Sequence, residues 1–471
     1  MRKLRMNEMT VARFLERYRV EFLEDIQNLI RIPSVSKPDK YGEYPFGKEC
    51  ARVLDIALAK AKELGFETEN HEYYCGSILM PGTENGEIGI FSHLDVVPEG
   101  DGWLHDPYTP YVRDGWLYGR GSADNKGAAV TALYAMRYLK ENGIQLRHQI
   151  RLFLGCSEEN GMEDMEYYLA HFPAPDFSFI PDASFSVCYS EKGIIEGDFE
   201  IPLPEGIVSF TSGVASNSVS ASASTVIENI SGEIPLVDSE LWPEISVFQD
   251  GIRLRVEATG RSAHAAFPEG AVNAGAVLAA YLCENNLINK EAKTILSFLS
   301  ECFNQHYGEG LGIEYDGGKL GRLTAICGMV RTENKKLKLN INIRYPAQVN
   351  SKKMIEKIDE KAARYGWNVK TIRDDPPSYI DPEKTVIKAL NELCQEELDP
   401  SFEPYCMGGG TYARKLPNAV AFGPGIRGQK KPGPEGHGGG HQPDECVKLE
   451  VLENALSIYI KALQKIDELL P

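Results

Sequence analysis

The sequence predicts an α/β protein in which a mixed sheet flanked by helices is interrupted by an inserted α+β domain. Three observations predict it. Short apolar strands alternate with amphipathic helices as far as about residue 190, the rhythm of a sheet covered by helices. Further on, Leu337, Leu339, Ile341 and Ile343 alternate with Lys338, Asn340, Asn342 and Arg344, the period of two of an antiparallel strand with one wet face. The tail then returns to helical spacing around a Gly-rich stretch.

The elements follow in order. Val11, Phe14, Leu15, Tyr18, Phe22, Leu23, Ile26, Leu29 and Ile30 recur at steps of three and four, which predicts a helix over 10–31 with Thr10 as N-cap and Pro33 beyond its end. A second helical pattern covers 47–64 and stops at Gly65. Residues 87–92 read as a buried strand leading into His93, 126–142 as a helix closed by Gly143, 149–155 as a strand leading into Glu158 and Glu159, and 177–180 as a strand leading into Asp182. The seven serines between 209 and 225 read, on composition, as a loop or hinge. A strand is expected over 252–258 and a helix over 271–283. Asp374-Asp375-Pro376-Pro377 reads as a return linker, so the expected organisation is 1–190, an insertion over 191–375, and 376–471 completing the first domain.

Composition bounds the function. The 471 residues carry 50 Lys+Arg against 68 Asp+Glu, a net charge of −18, which argues against nucleic acid as a partner because phosphate binding needs a cationic surface. None of the ten cysteines forms a Cys-x-x-Cys pair, so a thiolate zinc site is not expected and a reducing compartment fits. Residues 1–19 lack the apolar stretch of a secretion signal, and no run reaches the ~18 apolar residues of a membrane span. A cytoplasmic protein without a membrane partner is the expectation.

The chemistry concentrates in His93-x-Asp95, Asp124, Glu158-Glu159, Asp182 and His441. Each follows a predicted strand or opens a helix, where a sheet projects side chains into a crevice. Imidazole and carboxylate donors without cysteine suit a catalytic zinc, manganese or cobalt site more than a structural zinc. One carboxylate could bridge two ions. Each piece also has a plainer reading: a satisfied histidine, a solvated pair of glutamates, Asp124 as a helix cap. The glutamates directly after an apolar strand, and the set taken together, weigh against it.

The words Ser92-His93-Leu94-Asp95-Val96-Val97-Pro98, Tyr118-Gly119-Arg120-Gly121-Ser122-Ala123-Asp124-Asn125-Lys126-Gly127, Glu158-Glu159-Asn160-Gly161 and His441-Gln442-Pro443-Asp444-Glu445 resemble the dinuclear zinc metallopeptidases of family 20. That family includes carboxypeptidase G, the aminoacylases and succinyl-diaminopimelate desuccinylase. The long insertion and Gly408-Gly409-Gly410-Thr411-Tyr412-Ala413-Arg414 resemble its bacterial PepV-type dipeptidases most.

The resemblance implies roles. His93 and Asp182 would hold one ion, Glu159 and His441 the other, and Asp124 would bridge them across a cis peptide to Asn125. Asp95 would fix the tautomer of His93, and Glu158 would be the general base. His264, from the insertion, would stabilise the oxyanion; on residues alone it reads as a loop histidine. Arg344 would grip the substrate carboxylate, with Gly409, Gly410 and Thr411 assisting and Asn217 as the asparagine of the lid. The sequence departs from the family at Ser220, where a proline is usual. His437 is a second candidate beside His441, and the residues after His441 favour the latter.

The implied protein is a metal-dependent dipeptidase: a catalytic domain holding two divalent ions, most simply zinc with manganese or cobalt as alternatives, and an inserted lid closing over a dipeptide. The long insertion implies a monomer. An N-acyl-amino-acid deacylase or desuccinylase, and a catalytically silent peptide-binding protein, are the alternative readings.

Overall fold

Four parallel strands, Gln149–Gly155, Glu87–His93, Phe177–Ile180 and Ala419–Phe422, lie side by side at the centre of a nine-stranded sheet. Both faces of the sheet are covered, so these strands are buried along nearly their whole length and read as continuous apolar runs rather than alternating ones. Antiparallel strands Cys75–Met80 and Glu67–His71 extend one edge. Val187–Glu191, paired with Tyr405–Met407 and Ser378–Tyr379, extends the other. The computed structural model describes residues 9–39, 41–228 and 234–471; residues 1–8 of the segment read above as lacking a secretion signal lie outside them.

The helices form where the spacing predicts them. Val11–Ile30 starts at Thr10, whose hydroxyl oxygen accepts the Arg13 N–H at 3.3 Å, and buries Phe14, Phe22, Ile26 and Leu29. Lys48–Glu63 follows, then Lys126–Glu141, then Leu449–Leu469 near the end of the chain. Lys126–Glu141 is buried from Lys126 to Leu139. Its alanines (Ala128, Ala129, Ala132, Ala135) let it pack closely between the sheet and the helices Val11–Ile30 and Leu449–Leu469.

The chain divides into two units. The first runs to Tyr189 and resumes over Tyr379–Tyr405 and Thr411–Pro471; the second comprises Ser190–Ser378 and Cys406–Gly410. The sequence places all of 376–471 in the first domain, whereas Cys406–Gly410 joins the second unit. There the Lys192 N–H donates to Met407 O at 2.9 Å and Arg344 Nη1 to Gly408 O at 3.4 Å. Of the Asp374-Asp375-Pro376-Pro377 stretch read as a linker, Asp374 and Asp375 end the strand Asn368–Asp375, while Pro376 and Pro377 are irregular and directly precede the boundary between Ser378 and Tyr379.

The second unit is an eight-stranded antiparallel sheet in the order Ile245–Asp250, Arg253–Thr259, Ser222–Glu228, Ile207–Ser212, Thr324–Glu333, Lys336–Tyr345, Gly193–Pro202, Asn368–Asp375. Leu337, Leu339, Ile341 and Ile343 join Ile195, Phe199, Leu278 and Phe298 in its core, as the period of two predicts. The opposite face carries cross-strand polar pairs: Asn342 donates to Glu196 and Asn340 to Asp198, both at 3.0 Å. The α/β class with an inserted α+β unit is therefore borne out.

Two local expectations need correction. The two ends of the serine-rich stretch are paired strands, Ile207–Ser212 and Ser222–Glu228, where Ala223, Thr225 and Ile227 point inward at alternate positions and the serines between them take the other face; 213–221, with Ser216, Ser218 and Ser220, is the expected loop. The helix expected over 271–283 starts at Ala274, because the Asn273 side chain accepts the N–H groups of Gly275 and Ala276 and caps it there. All ten cysteines carry free thiols. No helix among the described residues is long and apolar enough to cross a membrane.

Candidate metal centre

Strand register brings the first donors together. His93, the last residue of its strand, pairs with Gly155, so the chain beyond Gly155 carries Glu158 and Glu159 past the same edge. Ile90 pairs with Phe179 on the other side, so three further residues along each strand set His93 level with Asp182. The strands are parallel, so all these groups leave at their carboxyl ends, where open α/β sheets bind ligands.

His93 is 1% exposed. Its Nδ1 lies 3.0 Å from the Asp95 carbonyl oxygen and 3.4 Å from the Asp95 carboxylate. With Nδ1 turned to Asp95, Nε2 is the nitrogen that faces the cluster, 3.1 Å from Asp124 Oδ1 and 3.6 Å from Asp182 Oδ2. The other oxygen of Asp124 lies 3.1 Å from His441 Nε2, which is also 2.8 Å from Glu159 Oε1. Asp124 thus turns one oxygen to each histidine. His93, Asp124 and Glu159 offer ligand atoms within 4.8 Å of one another, as do His93, Glu158 and Asp182. His437 goes elsewhere: its Nδ1 meets Asp444 at 2.6 Å.

The supporting residues are mostly ones that the sequence did not single out. Both oxygens of Asp95 accept backbone N–H groups, from Glu158 and from Glu159 at 3.1 Å each, so one carboxylate seats both glutamates. Asp164 accepts the N–H groups of Cys156 and Ser157 at 2.8 Å and the Tyr412 hydroxyl. Glu445 Oε1 accepts three N–H groups, of Gly121, Ala123 and Asp124, while its Oε2 pairs with the buried Arg120 at 2.7 Å. The Asp124–Asn125 peptide is cis. The buried Asn125 amide donates to Pro181 O at 2.6 Å and to Asp182 Oδ1 at 3.1 Å, and its oxygen accepts from Ser92. The only sequence signal for these residues was that Glu445, Arg120 and Asn125 sit inside the quoted words.

The electrostatics separate the groups. Burial raises Glu158 well above the usual carboxyl range, and the nearby Asp182, Glu159 and Asp95 add to it, against the opposing pull of His93. Asp182 is pushed up to about 7 by burial and by the charge of Asp124. Burial also works on Asp124, but hydrogen bonds from His441 and His93 hold it well below its usual value. His93 is raised, burial being outweighed by Asp124, Asp95 and Asp182, and His441 is lifted to about 11 by Asp124 and Glu159. Four carboxylates around two imidazoles, without a thiolate, form a hard donor set that suits divalent zinc, manganese or cobalt.

The remaining expected residues lie mostly in the second unit. Segments 217–219 and 263–265 pair there: Ala265 N donates to Asn217 O at 2.8 Å and Val219 N to Ala263 O at 2.9 Å, which sets Ser218 opposite His264 and Asn217 opposite Ala265. His264 Nδ1 accepts the Ala266 N–H at 3.2 Å. Gly408 packs so closely on Ala266 that a Cβ there would lie 2.5 Å from the alanine methyl, and its carbonyl accepts from Arg344. Arg344 also donates through Nε to Asn342 Oδ1 at 2.9 Å, which fixes the plane of the guanidinium. Next to Gly409 a Cβ would meet open space. Gly410 closes the second unit's run, and Thr411 belongs to the first unit, where its hydroxyl accepts the Ala413 N–H at 3.1 Å and caps the turn Tyr412–Lys415.

Residues 89–465 match the sequence profile of the family described as Peptidase family M20/M25/M40. A Bacillus subtilis (strain 168) protein named Putative dipeptidase YtjP is 30% identical over 466 residues, covering 96% of this chain and 98% of its own. Among solved structures, human carnosine dipeptidase 1 covers 98% of this chain and 99% of its own with a TM-score of 0.58 at 15% identity. The dipeptidase Dug1p of Saccharomyces cerevisiae covers 97% and 98% with a TM-score of 0.59 at 13% identity. At those identities the two structures speak to the fold alone.

Proposed function

Because the chain belongs to peptidase family M20/M25/M40, we propose that it is a metal-dependent dipeptidase. The observation that carries this reading is the Asp124 carboxylate with one oxygen on His93 and the other on His441, next to Glu158, Glu159 and Asp182. His93 and Asp182 would hold one divalent ion, Glu159 and His441 a second, and Asp124 both. Bound there, the ions supply Lewis acidity towards the scissile carbonyl and acidify the attacking water.

The chain's own groups do the rest. Glu158, with a raised pKa and its N–H fixed by Asp95, takes a proton from the attacking water and later delivers it to the leaving amine. His264 donates to the oxyanion that develops during attack. Arg344, already oriented by Asn342 and Gly408, binds the terminal carboxylate of the substrate. Asn217 and the backbone of Gly409 and Gly410 add polar contacts, with Thr411 next in the chain. The second unit acts as the lid, and with both His264 and Arg344 in one chain a monomer suffices. Zinc is the proposed metal.

The test is a panel of dipeptides and N-acyl amino acids offered to protein reconstituted with zinc, manganese or cobalt, with products identified. Cleavage of dipeptides to free amino acids supports the proposal. Cleavage of N-acyl amino acids alone would make the protein a deacylase, and tight dipeptide binding without turnover would make it a binding protein.

A further inference from the structure

The second unit contains a cavity of about 270 Å³ lined by Lys192, Phe267, Glu269, Tyr307, Thr324 and Gly408 among others. It is slightly smaller than the ~300–1,000 Å³ pockets that enclose a whole small ligand, so it suits one part of a ligand. Its position is set by strand register. Arg344 pairs directly with Thr324 on one side and with Ile194 on the other. Opposite residues of an antiparallel pair share a face, and Lys192 lies two residues before Ile194, so Lys192, Thr324 and Arg344 gather on the face of the sheet opposite its apolar core. Gly408, whose carbonyl accepts from Arg344, also lines the cavity.

We infer that this cavity receives the side chain of the substrate's C-terminal residue and that Lys192 and Thr324 make it selective for an acidic side chain. The inference rests on the proposed role of Arg344 as the clamp for the same residue's carboxylate. With that carboxylate on Arg344, the side chain of the residue lies within reach of the adjoining cavity. Lys192 is only 8% exposed, and its ammonium group donates to Arg322 O, which anchors it against the wall. Thr324 is 2% exposed, and its hydroxyl has no hydrogen-bond partner among the described residues. A buried hydroxyl without a partner costs free energy that an incoming acceptor recovers.

Glu269 is the opposing charge. It is exposed and accepts the Tyr307 hydroxyl at 3.0 Å. Solvent screens it, whereas the buried ammonium group acts through a lower dielectric, so the cation dominates inside the cavity. Arg322 is engaged with Glu314 at 3.3 Å and Glu309 at 3.6 Å and adds little.

The experiment compares kcat/KM for Ala-Glu, Ala-Gln and Ala-Leu with metal-loaded wild-type protein, K192M and T324V. Wild type should favour Ala-Glu over Ala-Gln by ~10-fold or more, the worth of one hydrogen bond to a charged group. K192M should bring that ratio close to one, and T324V should lower Ala-Glu relative to Ala-Leu. Ratios taken within one protein cancel any loss of folded or metal-loaded enzyme. A wild-type ratio near one, or a ratio unchanged in K192M, overturns the assignment while leaving the dipeptidase reading in place. The wild-type ratio decides even if a variant fails to fold. Wild-type protein that cleaves none of the three would overturn the dipeptidase reading and this inference with it.

Discussion

In the proposed reaction Glu158 and Asp124, two carboxylates in one cluster, take different work. Asp124 turns an oxygen to each of two imidazoles and is held ionised, whereas burial among other carboxylates lifts Glu158. Such a split would separate a permanent ligand from a carboxyl group that holds its proton more tightly and can exchange it. Glu158→Gln is therefore expected to keep its metal content while kcat falls by ~10²–10⁴. Metal analysis beside steady-state kinetics checks this, and loss of metal together with activity would reassign Glu158 as a ligand. Gly155 makes a second point. A Cβ there would collide with the Tyr412 hydroxyl and the Asp164 carboxylate, which seat the turn before Glu158. Gly155→Ala should cost about 1–3 kcal/mol as an overpacking change, read as a lower midpoint in urea; an unchanged midpoint would contradict this. At this scale the sequence offered both His437 and His441 and favoured His441 only by the residues that follow it. The partner that removes His437 from the cluster, Asp444, is visible only in three dimensions.

Elements decide which residues meet. The strands that end at His93, Gly155 and Ile180 are legible from their apolar runs, and so were the donors that follow them. The serine-rich strands were not, because serine takes the wet face of a strand as readily as a loop. Glu445 was harder still. It accepts the Gly121 N–H from 324 positions away, and no local pattern reports a carboxylate whose partners are backbone groups of another segment. It is 0% exposed, and so nearly is its partner Arg120. Glu445→Ala would leave a buried guanidinium without its counter-ion and three N–H groups without their acceptor. A loss of about 3–5 kcal/mol in urea unfolding is expected, with weaker metal binding because Asp124 loses its anchor. Unfolding and metal titration both unchanged would show that the loop Gly121–Asp124 holds its shape unaided.

The molecule as a whole gathers carboxylates at one sheet edge and offsets them with protons when no ion is bound. His441 is lifted to about 11, His93 is raised, and Asp182 is pushed up to about 7. Each of these folded-state values lies above its unfolded one, so each contributes stability that is complete below the unfolded value and lost as pH rises through the folded value. The metal-free protein should therefore weaken from about pH 4, the unfolded value of Asp182, towards about pH 11, the folded value of His441. A divalent ion must displace those protons, so its affinity and the Tm gain that it confers should both grow over the same range. Calorimetric titration in buffers of different ionisation enthalpy would show the released protons. A Tm gain independent of pH would mean that the ions bind elsewhere.

The account depends most on Asp124 serving two ions at once, and metal stoichiometry after equilibrium dialysis against zinc tests that directly. It predicts two ions per wild-type chain, one each in His93→Ala and His441→Ala, and none held tightly in Asp124→Ala. Wild-type protein binding a single ion, or Asp124→Ala retaining both, would contradict it.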